Sequence, residues 1–262
     1  MISAAPTVDY AVLNVRGSTA PYVGYFPYEP FASWTWWDRD NPVTAIATVL
    51  TPESFVIGAD GRRFDSKTGK IETDALQKIL LFDSDKLRFA YAWTGTTRAS
   101  GHGGLVWDLL PATQTCLAIQ PAPTNFPLFV SELCRNLSDK LPPYIENLPG
   151  EELARAIFAG YFEGQPFTLQ IQILYPATAL LIHPTLQIPA QYHKMIFSGA
   201  ESIYPPYVNR RPQTRTEAIS FVQQYIQDCA NSSNSDCAGI GGHIHIAEIK
   251  PNEIRWIIPA VV

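Results

Sequence analysis

A hydroxyl, a carboxylate and an amine lie in one stretch of this chain, at Thr44, Asp60 and Lys78, within apolar runs that a β-sheet could fold back on itself. Brought together, such groups suit nucleophilic attack on an amide. A threonine hydroxyl is a weak nucleophile at neutral pH and needs a base beside it. When threonine opens a chain, its own α-amine serves, because the reference pKa of about 7.7–8.0 lies near working pH. An ammonium group nearby keeps that amine deprotonated, and a carboxylate holds the ammonium in place. Thr44 acquires a free amine only if residues 1–43 are removed. Each group also has a plain structural reading, as a strand threonine and as an ion pair retained by the fold.

The elements that must position these groups are two hairpins. Thr44–Val49 and Ser54–Ala59 read as strands rich in β-branched residues, with Thr51-Pro52-Glu53 as their turn. Asp60 follows the second strand. Ile79–Phe82 and Leu87–Trp93 form the next pair around the polar turn Asp83-Ser84-Asp85-Lys86, with Lys78 at its mouth and Gly95 just past its end. Further on, the spacing predicts a short helix over 104–110 stopped by Pro111, and an amphipathic helix over 127–141 stopped by Pro142-Pro143. Strands follow over 155–161, 168–175 and 194–197. A helix over 215–230 opens on Thr214 and Glu217, which fit a capping box, and strands over 243–249 and 254–258 close the chain. Helices segregated from mainly antiparallel hairpins argue for an α+β layered domain.

Residues 1–43 have a composition of their own, with Tyr22, Tyr25, Phe26, Tyr28, Phe31, Trp34, Trp36 and Trp37 interleaved with Pro21, Pro27 and Pro30. The prolines prevent a regular helix, and the aromatics are too apolar for a solvated tail. They are expected to pack on the following domain or on a neighbouring subunit. The division is therefore an N-terminal extension over 1–43 and a domain over 44–262.

Composition removes several classes. Of the 262 residues, 46% are hydrophobic and 16% charged, enough apolar content for a sizeable core. A net charge of −5 without a dense Lys/Arg stripe speaks against nucleic acid as a partner. No apolar run reaches the roughly 18 residues of a membrane span, and the N-terminus lacks the pattern of a secretion signal, so no membrane partner and a cytoplasmic location are expected. Cys116, Cys134, Cys229 and Cys237 make no Cys-x-x-Cys pair and read as free, mostly buried thiols, with a Cys229–Cys237 disulfide as the lesser alternative. His243 and His245 share one strand face but have no third ligand, so no metal is expected. Ser198 sits in no Gly-x-Ser-x-Gly elbow.

The ordered set Thr44, Asp60 with Arg62, Lys78 and Gly95 resembles that of the proteasome β-subunits and HslV-type peptidases, within the N-terminal-nucleophile (Ntn) hydrolases. In that family a threonine opens the first strand, an Asp follows sixteen residues later in an Ala-Asp-x-Arg-like segment, a Lys precedes an apolar strand, and an Ala-Gly-like turn comes next. Ala159-Gly160-Tyr161 and Ser198-Gly199-Ala200 resemble its later strand and turn. The resemblance spans about residues 44–258. It implies a four-layer αββα sandwich and a threonine-type peptide or amide hydrolase acting on a peptide or small amide substrate, without cofactor, as a homo-oligomer.

It further implies Thr44 as nucleophile, Lys78 and Asp60 as its support and the Gly95 N–H as oxyanion donor. Ser198 and Asp236 would gather around the threonine amine, and Trp93 would wall the substrate-binding pocket. Two positions depart from the family. Val43 stands where self-processing members have glycine, and a β-branched residue there restricts the turn by which the hydroxyl reaches the preceding carbonyl. The serine that follows the family's distal aspartate is missing after Asp236. An unprocessed, non-catalytic subunit of the same fold is the competing expectation.

Overall fold

The computed structural model describes residues 44–65, 70–100, 106–120, 123–141, 151–175, 181–187 and 195–260. The expectations for residues 1–43, Val43 included, lie outside these. In chain order the described elements are β1 (Ile46–Leu50), β2 (Phe55–Asp60), β3 (Arg63–Asp65), β4 (Lys70–Thr73), β5 (Ile79–Asp83), β6 (Leu87–Gly95), β7 (Arg98–Ser100), β8 (Val106–Asp108), α1 (Leu109–Ile119) and α2 (Phe126–Lys140). They continue as β9 (Glu151–Phe162), β10 (Gln165–Tyr175), β11 (Leu181–Gln187), β12 (Met195–Ser198), α3 (Pro205–Val208), α4 (Arg215–Asn231), β13 (Ile244–Ile249) and β14 (Ile254–Ile258).

Two five-stranded sheets, antiparallel in every pairing, carry the fold. One has the order β12-β1-β2-β13-β14 and the other β11-β10-β9-β6-β5. Strand alternation distributes their side chains over three apolar clusters. Ile46, Ile57, Ala59 and Ala247 of the first sheet meet Ala90, Ala92, Ile157 and Ala159 of the second. The alternate residues Ala47, Val49, Val56 and Ile246 pack instead with Ala218, Val222 and Ile226 of α4. Phe89, Tyr91, Trp93 and Phe158 pack with Cys116 and Leu117 of α1 and with Val130, Leu133 and Leu137 of α2. A strand covered on both faces must be apolar throughout, which is why β1 and β2 are buried along their whole length.

Helix ends follow local chemistry. Thr214 Oγ1 accepts from Glu217 N (3.2 Å) while the Glu217 carboxylate accepts from Thr214 N (3.3 Å), the reciprocal cap read in the sequence. The helix expected over 104–110 begins instead at Leu109 and runs to Ile119. Pro111 falls in its first turn, where a missing N–H costs nothing, so it belongs to the helix start rather than to its end. Asp108 caps that start by accepting from Leu110 N. Strand β11 and the small β3–β4 pair were not among the expected elements. All four cysteines are free thiols.

Candidate active site

Thr44 and Ala45 lead into β1, and β1 pairs with β2 so that Ile46 lies opposite Ala59. The start of β1 and the end of β2 are therefore neighbours, which places Asp60 beside Ala45. Lys78 lies just before β5, a strand of the other sheet, and reaches across. Its Nζ donates to Thr44 Oγ1 at 3.0 Å and to Asp60 Oδ1 at 3.0 Å, so one ammonium bridges the hydroxyl and the carboxylate. All three residues are buried, Asp60 completely.

Asp60 is held by backbone as well as by Lys78. Oδ1 also accepts from Ala45 N (3.0 Å), and Oδ2 from Gly241 N (3.1 Å) and Arg62 N (3.3 Å). The Arg62 side chain turns outward and pairs with Asp74 at 2.6 Å. Burial pushes the Asp60 carboxyl up and the Lys78 ammonium down, while the ion pair and the hydrogen bonds oppose both shifts. A lysine depressed in this way gives up its proton more readily than an exposed one, which suits a group that takes or returns a proton at a hydroxyl.

Two further residues touch this cluster, and neither was assigned a role from the sequence. Thr94 lies on the face of β6 that carries Ala90 and Ala92, and its Oγ1 accepts from Thr44 N at 3.4 Å. His245 of β13 is fully buried, and its Nε2 accepts from Lys78 N at 3.0 Å and from Ile79 N at 3.1 Å. Burial first and the Lys78 charge second push His245 down to about 4, so its ring is neutral at neutral pH. The only sequence signal for either residue is register. Thr94 is next to Gly95, and His245 lies opposite Ala59, one residue before Asp60.

The remaining expected residues are placed as follows. Gly95 ends β6 with φ of +85°, and a Cβ there would stand 2.6 Å from the Leu153 carbonyl oxygen, so the turn requires glycine. Ser198 ends β12, buried opposite Ile46 on the other side of β1 from Asp60's strand. Asp236 faces Ser202, accepting from its N (2.8 Å) and its Oγ (2.7 Å). Trp93 points to the opposite face of β6 from Thr94. Its ring is buried with Phe89 and Tyr91 in the helix-side core, where Nε1 donates to Thr113 of α1. The ring expected to wall a pocket beside Thr44 is thus core packing, because strand alternation turns residue 93 away from the face that residue 94 occupies. Among the described residues no group of three or more His, Cys, Asp or Glu is arranged to hold a metal ion.

The fold is similar to that of two solved structures. A Gly-1 mutant of Anbu from Hyphomicrobium sp. strain MC1 aligns with a TM-score of 0.53 over 84% of this chain and 87% of that one, at 15% identity. Anbu (ancestral beta-subunit) from Yersinia bercovieri aligns with a TM-score of 0.50 over 82% and 87%, at 12% identity. No protein-family model matches the chain, and no curated protein does. At these identities the likeness is one of fold, and the chain shares the proteasome-like fold of Anbu.

Proposed function

We propose that this protein is a threonine-type amide hydrolase of the proteasome-like kind, in which Thr44 becomes the nucleophile once residues 1–43 are removed. The observation that carries the reading is the single buried ammonium of Lys78, 3.0 Å from the Thr44 hydroxyl and 3.0 Å from Asp60. The three apolar clusters support the finer architecture, a four-layer αββα sandwich with the sheets inside and the helices outside.

In the reaction Thr44 Oγ1 attacks the amide carbon of a peptide or small amide, and its proton passes to the freed Thr44 amine. Lys78 stabilises the oxygen as it loses that proton, and Asp60 holds Lys78 in register. The Gly95 N–H receives the oxyanion, the kind of donor whose loss costs roughly 10²–10³ in rate. The C–N bond then breaks as the amine proton moves to the leaving nitrogen, and water hydrolyses the resulting ester by the reverse assistance. Thr94 Oγ1, already beside Thr44 N, orients the amine. By resemblance Asp236 belongs to the same surroundings, though its carboxylate accepts from Ser202. Ser198 completes the polar surroundings by resemblance. The same reading makes the protein a cytoplasmic homo-oligomer. Among the described residues no helix is long and apolar enough to cross a membrane.

The test is intact mass together with turnover of fluorogenic peptides. A species beginning at Thr44 that cleaves peptide, and a Thr44→Ala chain that neither processes nor cleaves, support the hydrolase. A stable full-length chain that turns over no peptide or small amide, even when residues 1–43 are removed by an engineered protease site, refutes it in favour of an unprocessed subunit.

A further inference from the structure

The segment that carries Lys78 has no strand partner at that residue, because β5 begins only at Ile79 and the residues over 75–78 form no ladder. Yet the site requires Lys78 Nζ to meet two atoms of the opposite sheet at once. A four-carbon side chain leaves that placement loose unless the backbone below it is fixed. Backbone bonds hold the segment upstream, from Leu76 N to Gly61 O and from His243 N to Asp74 O, each 2.8 Å, and at Lys78 itself the tie is a side chain from the first sheet. Nε2 of His245 on β13 accepts both N–H groups of the junction, Lys78 and Ile79, at 3.0 and 3.1 Å. β13 is also the neighbour of β2, with Ile244 opposite Asp60 and His245 opposite Ala59. The same imidazole is thus registered to the strand that presents the carboxylate and to the backbone that presents the amine.

We infer that His245 is the positioning residue of the site, an Nδ1-protonated imidazole that clamps the 78–79 backbone and so sets the Lys78 amine between Thr44 and Asp60. The inference rests on the hydrolase reading for its consequence in rate, but the clamp is a statement about Lys78 and stands apart from it. Only one tautomer works. An acceptor facing two N–H groups must be an unprotonated nitrogen, so the ring proton sits on Nδ1. A protonated Nε2 would present a third donor to two donors. Trp256 of β14 lies against the ring, with centroids 6.1 Å apart, and restricts its rotation.

Two substitutions separate positioning from mere core filling. His245→Leu fills the space without an acceptor. His245→Gln carries Oε1 the same number of bonds from the backbone as Nε2, and so keeps one. The primary readout is NMR of the full chain with ¹³C-labelled lysine, following the Lys78 ε-methylene through a pH titration, with ¹⁵N-histidine shifts reporting the tautomer. The wild-type ring should show an unprotonated Nε2 at neutral pH. In H245L the Lys78 titration should move up toward that of an ordinary lysine as water reaches the amine, and H245Q should restore it. On peptide substrate H245L should lower kcat by about 10²-fold with KM unchanged, the effect of displacing a reacting group by roughly 1 Å, and H245Q should recover most of it.

An Nε2-protonated tautomer in the wild type overturns the inference. So does a folded H245L chain whose Lys78 titration matches the wild type, or a folded H245Q chain as perturbed as H245L. If no peptide is cleaved by any form, the hydrolase reading fails while the Lys78 titration still decides the clamp.

Discussion

At the scale of single residues, the Lys78–Asp60 pair is costly to break and cheap to keep. Asp60 is fully buried and receives four donors, three of them backbone N–H groups, of which that of Arg62 is shared with the Gly241 carbonyl. Lys78→Met leaves that carboxylate buried without its cation, and removal of one partner from a buried pair costs about 3–5 kcal/mol. Urea denaturation at pH 7 should show this loss, and adding Asp60→Asn should return part of it. His245 gives a separable pH signature. Its folded pKa, about 4, lies below the ordinary 6.5. The unfolded chain therefore takes up the proton first as the medium becomes acid. The stability owed to the neutral ring is fully present above pH 6.5 and is lost as pH falls from there to about 4. The whole loss amounts to about 3 kcal/mol, at 1.36 kcal/mol per pKa unit. The Lys78 charge adds to it, while the backbone of His243 opposes it. Glu248, lowered from 4.5, loses its contribution only below that value, whereas His183, also lowered from 6.5 by burial, adds to the loss above it and Asp60, raised from 3.8 by burial, works against the loss. Denaturation midpoints taken from pH 7 to 5 should fall more steeply for the wild type than for H245Q, the difference between the two being the share of His245.

At the scale of elements, the chain constrains itself most where strands approach without side chains between them. Gly160 on β9 lies opposite Phe89, and a Cβ there would collide with the Arg88 carbonyl and the Phe89 backbone of β6. Because the obstacle is main chain, it cannot rotate away. Gly160→Ala must spread the two central strands of the second sheet and should lower stability by about 1–3 kcal/mol or more, as overpacking does. Calorimetry of the purified variant measures it. Much at this scale was legible in the sequence. The two hairpins, α2, α4 with its cap, and β9, β10, β13 and β14 all announce themselves through periodicity and turn residues within a few positions of one another. The rest was not, for physical reasons. Pro111 reads as a stop unless one knows that the helix starts two residues before it. Strand β11 contains His183 and Pro184, and its apolar face is filled in by pairing with β10 rather than by its own alternation. Thr44, Asp60 and Lys78 could be lined up by their order along the chain. Thr94 and His245 could not, because their parts depend on which strands become neighbours.

At the scale of the whole molecule, ion pairs tie elements that are far apart in sequence. The buried carboxylate of Glu248 on β13 accepts from Arg215 at the start of α4, from Arg255 on β14 and from Ser54 in the β1–β2 turn. Glu248→Ala should cost about 1–3 kcal/mol, the range for hydrogen bonds to a charged group. The arginines are partly exposed and regain water, so the loss should stay below that of Lys78→Met under the same denaturation assay. If the protein processes itself, Val43→Gly should speed the appearance of the species starting at Thr44, because glycine frees the turn that a β-branched residue stiffens. A time course of intact mass reads this directly, and an unchanged rate would assign the cut to another protease.

The groups that hold Asp60 and Lys78 include the backbone of Gly241 and the ring of His245, both far downstream of Thr44 in the sequence. A ribosome delivers Thr44 long before it delivers either of them, and domains assemble as translation proceeds. Until the stretch with Gly241 and His245 has emerged, the Lys78 backbone lacks its imidazole acceptor and Asp60 one of its donors, so the cluster is completed late in synthesis. The order in which its strands are made sets when Thr44, Asp60 and Lys78 can meet.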